Sequence, residues 1–291
     1  MSTDSESLII NTSPLTVIGR RRPRFPAGFL IGLIAFIALF FLLIPIATLI
    51  IRALTIMDLQ GVSLGSVGTA IALSITTTAA SALLTILGGT PLAYVLARRR
   101  FRARQALIVI VEWPIVLPPA VAGLALLLTF GRLGLFGPLL GAIGVALPFS
   151  TAAVIIAQLF VSAPFYVRSA LVGFQNVPRA IEDAARVDGA AGWTLFSTIT
   201  LPLSLRSLLS GLTLSWMRAL GEFGATILFA GNLSGQTQTM PLLVYTLFEQ
   251  DLDAAILAGV ILAGIALLAL IGSHWLTRSL DIDSDPLAGI I

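Results

Sequence analysis

Six stretches of the chain are apolar for long enough to cross a bilayer, and short polar or arginine-bearing segments separate them. They cover 27–51, 66–96, 105–129, 148–174, 206–230 and 254–276. Each reaches the roughly 20 residues that a spanning helix needs. The sequence RRRPR at 20–24 precedes the first stretch and invites comparison with a signal peptide. A signal h-region has only about 7–15 apolar residues; the run from Ala27 to Ile51 is much longer and no small-residue cleavage site follows it, so it reads as a retained span. Residues 1–26 are polar, with Ser, Thr and Pro, and read as a disordered tail. The membrane domain is expected over 27–278, with a short tail at 279–291.

Composition agrees with the pattern. Of 291 residues 57% are hydrophobic and 11% are charged, and the mean hydropathy is +1.01. Soluble domains carry about a quarter charged residues. The expected fold class is therefore an all-α integral membrane protein with six transmembrane helices. All 17 basic residues are arginine, and they are distributed unevenly. Arg20, Arg21, Arg22, Arg24, Arg98, Arg99, Arg100, Arg102, Arg104, Arg168, Arg179, Arg186, Arg206 and Arg278 fall on or beside one side of the six-span arrangement. Only Arg52 and Arg132 fall on the other, with Asp58, Glu249, Asp251 and Asp253. Positive residues stay on the cytoplasmic side, so both termini are expected there. The net charge of +3 reads through this topology rather than as a nucleic-acid footprint.

Absences narrow the chemistry. The chain has no Cys, which excludes thiolate zinc sites and iron–sulfur clusters, and its one histidine, His274, cannot build a multi-histidine metal centre. It has no Lys, and a phosphate-binding P-loop ends in Lys-Ser or Lys-Thr. If ATP drives this protein, another polypeptide hydrolyses it.

Within the spans, Pro114, Pro118 and Pro119 are expected to interrupt the third and Pro164 the fourth, either as packing kinks or as an irregular wall beside a pathway. The second span is rich in Thr, Ser, Gly and Ala, which suits a helix buried among others. In the sixth, Ala255, Gly259 and Ala263 recur every four residues as a small-residue contact stripe.

One cytoplasmic segment, 175–204, differs from the rest: IEDAARVDGAAGWTLFSTITLPL at 181–203 is polar and acid-bearing. Pro178 suits a first helical turn. Glu182 and Asp183 sit where the helix dipole favours anions, and Gly189 is placed to end the helix in a left-handed conformation. A second short helix is expected over 191–199, closed by Pro202. Ile181, Ala184, Ala185 and Asp188 share one face. The result is a small water-facing knob that suits a groove on a partner, or alternatively a plain polar connection.

The spacing here resembles a known signature. Asp183-Ala184-Ala185, three residues, Gly189, nine residues, Ile199, one residue, then Leu201-Pro202 is similar to the cytoplasmic loop of permease subunits of ATP-binding-cassette importers, whose pattern is Glu-Ala-Ala, three residues, Gly, nine residues, Ile-x-Leu-Pro. Asp stands for Glu at 183, one methylene shorter, with Glu182 beside it as a substitute. Further on, RALGEFGATILFAGN at 218–232 and TQTMPLLVY at 237–245 resemble the molybdate/tungstate branch; the core Gly221-Glu222-Phe223-Gly224 is shared with the sulfate branch. The likeness runs from about 65 to 278. It implies a type I ABC importer permease in the cell membrane, working as a homodimer. It further implies two cytoplasmic subunits that bind ATP and magnesium, an extracytoplasmic oxyanion-binding protein, and no enzymatic site in this chain. The coupling residues would be Glu182, Asp183, Ala184, Ala185, Gly189, Ile199, Leu201 and Pro202. The pathway or gate would involve Gly221, Phe223 and Gly224.

Three ionisable residues fall within spans: Glu112, Arg218 and Glu222. Such groups face a bundle interior or a water-filled cavity. Arg218 and Glu222 are four apart and able to pair on one helix face, with Glu112 a possible third member. Alternatively the face lines the pathway and Arg218 attracts a divalent oxyanion. The loops at 231–252 and around Arg132 are candidate docking surfaces for the binding protein, or ordinary connections. Competing readings are a sulfate/thiosulfate permease, an ion-coupled secondary transporter, which would carry inverted repeats, and a membrane enzyme, which would need a cluster of nucleophile, base or metal ligands.

Overall fold

The computed structural model describes residues 27–56 and 63–282. The expected disordered tail at 1–26, Asp58 and most of the C-terminal tail lie outside those residues. The chain forms two units, one ending at Thr48 and the other running from Leu49. The first contributes most of helix α1 (Ala27–Thr55), which is apolar on every side, as a membrane span is.

In the second unit the described residues are helical, without strands: α2 (Leu64–Arg98), α3 (Arg104–Val116), α4 (Pro119–Phe130), α5 (Gly137–Ala142), α6 (Thr151–Asn176), α7 (Arg179–Val187), α8 (Gly192–Leu195), a π-turn (Phe196–Thr200), α9 (Leu201–Leu220), α10 (Gly224–Phe229), α11 (Met240–Gln250) and α12 (Leu252–Ile282). Among the described residues five helices are long and apolar enough to span, and α3 with α4 makes a sixth if the bent pair counts as one.

Proline acts differently at its several sites. Leu117 and Pro118 are extended, Pro119 opens α4, and the axis turns by 114° between α3 and α4. This is a break rather than a kink. Pro164 does not interrupt its span, because α6 runs unbroken from Thr151 to Asn176. The expected fifth span, 206–230, is also corrected. The observed spanning helix is Gly192–Leu220. Its start is polar, yet Ser197 and Thr198 satisfy themselves by donating to the carbonyls of Trp193 (2.9 Å) and Thr194 (2.6 Å). Pro202 therefore does not close a separate short helix. Pro202 follows closely on the π-turn, where the i to i−4 pattern is already interrupted and a residue without an N–H is accommodated inside the helix. Gly221 then ends α9, well before residue 230.

The core centres on α6, which packs along α2 and α9 and also meets α3, α4 and α10. Tyr166, Val167, Ala170 and Phe174 of α6 join Ala93 and Leu96 of α2 and Leu208 of α9. Toward the other end Ala153, Val154, Ala157 and Val161 meet Ala122 and Leu126 of α4 and Ala225 and Phe229 of α10. The seam between α6 and α9 is built from small residues. A β-carbon on Gly211 would stand 2.5 Å from that of Ser169, and one on Gly173 would stand 2.6 Å from that of Ser207. The Ser169 hydroxyl donates to the Ser207 carbonyl (2.7 Å) and that of Ser215 to the Ser162 carbonyl (2.9 Å). Ser207, Gly211 and Ser215 thus form a small-residue ridge at four-residue spacing, which permits close helix approach in lipid.

The polar second span behaves as its composition suggests. Ser74, Thr77, Thr78, Ser81 and Thr85 are its buried stripe. Ser74 accepts the Met240 N–H (2.8 Å), Thr78 accepts from the Trp216 indole (3.0 Å), and Thr90 bonds the Tyr166 hydroxyl (2.6 Å). The stripe expected on α12 is displaced by a fraction of a turn. Its buried face is Ala254, Ala255 and Ala258, whereas a β-carbon on Gly259 meets nothing within 4 Å and Ala263 is exposed.

The seam gives a direct test. Gly211→Ala forces two backbones apart and is expected to cost roughly 1–3 kcal/mol, read as a lower melting temperature of the purified protein. Gly259→Ala is expected to stay within about 0.5 kcal/mol of the parent. Equal melting temperatures for the two variants would remove the close-packed seam from this account.

Candidate functional site

Helix α7 is short, polar and almost wholly solvent-facing. Pro178 precedes it, and Gly189 ends it at φ +93°, the left-handed conformation that glycine adopts without strain. Asp183, Ala184, Arg186, Val187 and Asp188 are exposed, and Val187 and the nearby Trp193 present large apolar surfaces to solvent. Asp183 pairs with Arg186 one turn on, at 2.5 Å. This side of the helix is a knob whose apolar residues have no cover among the described residues.

The opposite side is anchored by one residue. Glu182 is buried, and its Oε1 receives Nη2 of Arg98 at 2.7 Å and the hydroxyl of Thr200 at 2.7 Å. Arg98 ends α2, Thr200 ends the π-turn that leads into α9, and the Arg98 guanidinium also reaches the Val177 carbonyl at 3.4 Å. The arrangement is favourable on three counts. The carboxylate lies in the first turn of α7 and the guanidinium in the last turn of α2, where the two helix dipoles prefer those charges. The pair is also hydrogen-bonded, which a buried charge requires. Glu182 therefore cannot substitute for the shorter Asp183 on the exposed face, since its carboxylate points inward. Ile199 is half-buried and Leu201 and Pro202 begin the long helix, so these residues belong to the base of the knob rather than its tip.

Deeper in the bundle, Arg218 pairs with Glu222, Nη1 to Oε2 at 2.6 Å, and the Glu222 side chain is 1% exposed. The other oxygen of Glu222 accepts the Ala225 N–H at 2.7 Å. Glu222 thus acts as a cap for α10, closing the turn Gly221-Glu222-Phe223 between α9 and α10. Gly224 lies against Pro119, where a β-carbon would stand 2.9 Å from that of Pro119, and a β-carbon on Gly123 would stand 2.7 Å from the Ala225 carbonyl oxygen. The sequence Gly221–Gly224 is a tight crossing of α10 over α4. Glu112 does not complete this pair. It sits instead by Arg168 of α6, at 3.7 Å. Sequence reading missed both Arg98 and Arg168 as partners, having counted them only toward the charge bias of the loops. The acids they serve were visible; the register of α2 and α6 against α7 and α3 was not.

Against known proteins, residues 89–282 match the family described as binding-protein-dependent transport system inner membrane component. The chain is similar to the molybdenum transport system permease protein ModB of Mycobacterium tuberculosis, 45% identical over 204 residues, covering 70% of this chain and 77% of that one. It is also similar to the sulfate transport system permease protein CysW of Synechococcus elongatus, 36% identical over 189 residues, covering 65% and 66%. Its fold matches a chain from a bacterial ABC transporter involved in the import of the acidic polysaccharide alginate, with a TM-score of 0.72 at 20% identity over 87% of this chain and 96% of that one. The chain belongs to the binding-protein-dependent transport system inner membrane component family, and is a multi-pass membrane protein with the fold of ABC importer permeases.

Proposed function

We propose that this chain is the permease subunit of an ABC importer of molybdate, and of tungstate with it, working as a homodimer fed by an extracytoplasmic oxyanion-binding protein. Two separate cytoplasmic subunits hold ATP and its magnesium and carry out hydrolysis; this chain supplies no catalytic group. The observation that carries the reading is helix α7, exposed on one side and bound on the other by the Glu182–Arg98–Thr200 cluster to the ends of two membrane helices. A push on the exposed side reaches α2 through Arg98 and α9 through Thr200. The segment with the importer signature, Asp183 to Pro202, is thereby a lever attached to the spans that must move. The cargo rests on the relatives named for molybdenum transport. The sulfate relative keeps sulfate as the second reading. The arginine-rich end of the bundle faces the cytoplasm in this account, and the segment expected as a loop at 231–252, half of which is helix α11, faces the binding protein together with the loop near Arg132. The Arg218–Glu222 pair and Gly221–Gly224 hold the gate closed from within the bundle.

In proteoliposomes holding the complete complex, molybdate-loaded binding protein is expected to stimulate ATP hydrolysis and oxyanion uptake. Stimulation by sulfate alone would transfer the cargo assignment to the second reading. Asp183→Arg is expected to lower uptake at least tenfold and leave the melting temperature unchanged, because its side chain is exposed. Glu182→Ala is expected to lower both, since it leaves Arg98 without its carboxylate; breaking a buried pair costs about 3–5 kcal/mol. Arg218→Ala strands the buried Glu222 carboxylate and is expected to reduce uptake sharply, with recovery of stability in Arg218→Met/Glu222→Gln. Near-parental uptake by a correctly assembled Arg218→Ala complex would take this pair out of the gate.

A further inference from the structure

Among the described residues, three acid–arginine pairs have a partner set a turn or more inside a helix or buried at its end, and they differ in exposure; Arg52–Asp253, at the opposite ends of α1 and α12, and Asp183–Arg186 are exposed pairs outside them. Arg98–Glu182 has side chains 12% and 4% exposed, and Arg218–Glu222 has 28% and 1%. Arg168–Glu112 has 64% and 34%, with the atoms 3.7 Å apart instead of 2.6–2.7 Å. Both partners fall inside segments apolar enough to cross a membrane. Arg168 lies eight residues before the end of α6 and Glu112 eight residues after the start of α3. At 1.5 Å per residue each stands about 12 Å in from the arginine-rich end.

An exposed pair at that depth is incompatible with lipid. A charge at the bilayer centre costs about 2.5–3.5 kcal/mol on insertion scales, and intramembrane charges face a bundle interior or water. Nothing else in the described chain covers this face. It opens on a hollow of about 330 Å³ lined by Ile115, Phe165, Arg168, Ser169, Val172 and Ser207, among others. Glu112 approaches Arg168 at Nε, at 3.7 Å, beyond hydrogen-bond distance. The guanidinium has five N–H donors in a planar fork that suits two oxygens of one anion. A loosely held, exposed arginine with a displaceable counter-ion is the arrangement for an anion that must bind and leave.

We propose that Arg168 is an oxyanion-contacting residue of the pathway, on the half of the bundle nearest the arginine-rich end, and that Glu112 is the counter-ion which the passing anion displaces. This rests on the permease reading given above. Two copies of the chain would bring two such arginines to one pathway, matching the double charge of a tetrahedral oxyanion. Arg218, held tightly by a buried carboxylate, has less to offer a moving anion.

The chain's lack of cysteine makes the test direct. Val172 is one turn from Arg168 on the same hollow and 48% exposed. In the complete complex in lipid nanodiscs, Val172→Cys is treated with impermeant anionic and cationic methanethiosulfonates, each rate being normalised to free cysteine. The anionic reagent is expected to react at least five times faster. Arg168→Gln in the same background is expected to bring the ratio to one or below, and Arg168→Lys to keep it. The proposal is overturned if Val172→Cys stays unmodified while the SDS-unfolded chain labels fully, which would place the face in lipid or a dry contact. It is equally overturned if the ratio ignores Arg168→Gln. The ratio is read with the reagents alone, so it stands or falls separately from the cargo, which the uptake assay reports.

Discussion

The carboxylate of Glu182 is the constraint on which the functional architecture depends. One oxygen holds the end of α2 and the start of the long α9 helix to the first turn of α7. Without that bond α7 would be a polar loop hanging beneath the membrane domain. With it, α7 is a projection tied to two spans at once. The bond is well suited to this task because it is both charged and buried. Exposed ion pairs contribute little and are screened by salt, whereas a buried and hydrogen-bonded one holds a fixed geometry and is costly to break.

The bundle around it uses small residues where a soluble protein would use bulk. Apolar side chains gain nothing by leaving lipid for a neighbouring helix, so close approach and interhelical hydrogen bonds do the holding. The Ser169–Gly211 and Ser207–Gly173 contacts let α6 and α9 run against each other, and the threonine stripe of α2 supplies bonds to α6, α9 and α11. Charge is then free to serve other ends. Arg98–Glu182 anchors α7, Arg218–Glu222 closes the turn into α10, and the more open Arg168–Glu112 faces the hollow beside α3.

Much of this was legible in the sequence. Hydropathy gave most of the spans, and Pro178 and Gly189 gave the limits of α7 to within a residue. The errors have particular causes. The fifth span was placed too late because hydropathy rewards the apolar ATILFA at 225–230 and penalises Thr194, Ser197 and Thr198. Hydroxyls that bond back to their own helix make that polarity tolerable, and Gly221 followed by a capping Glu222 stops the helix whatever follows. Pro164 was credited with a break that α6 absorbs, whereas Leu117-Pro118 does break the chain because two consecutive residues leave the helical region. The partners of Glu182 and Glu112 were beyond reach because they lie 84 and 56 positions away and depend on helix register.

The sharp turn between α3 and α4 has a mechanical consequence. Beyond the turn, α4 is locked to α10 by contacts that leave no room for a methyl group, at Gly123 against Ala225 and Gly224 against Pro119. Force arriving along α3 cannot pass through such an elbow as compression; it becomes torque. The α4–α10 pair, seated on α6, therefore does not continue the line of α3, and the two extended residues Leu117 and Pro118 are the joint between them.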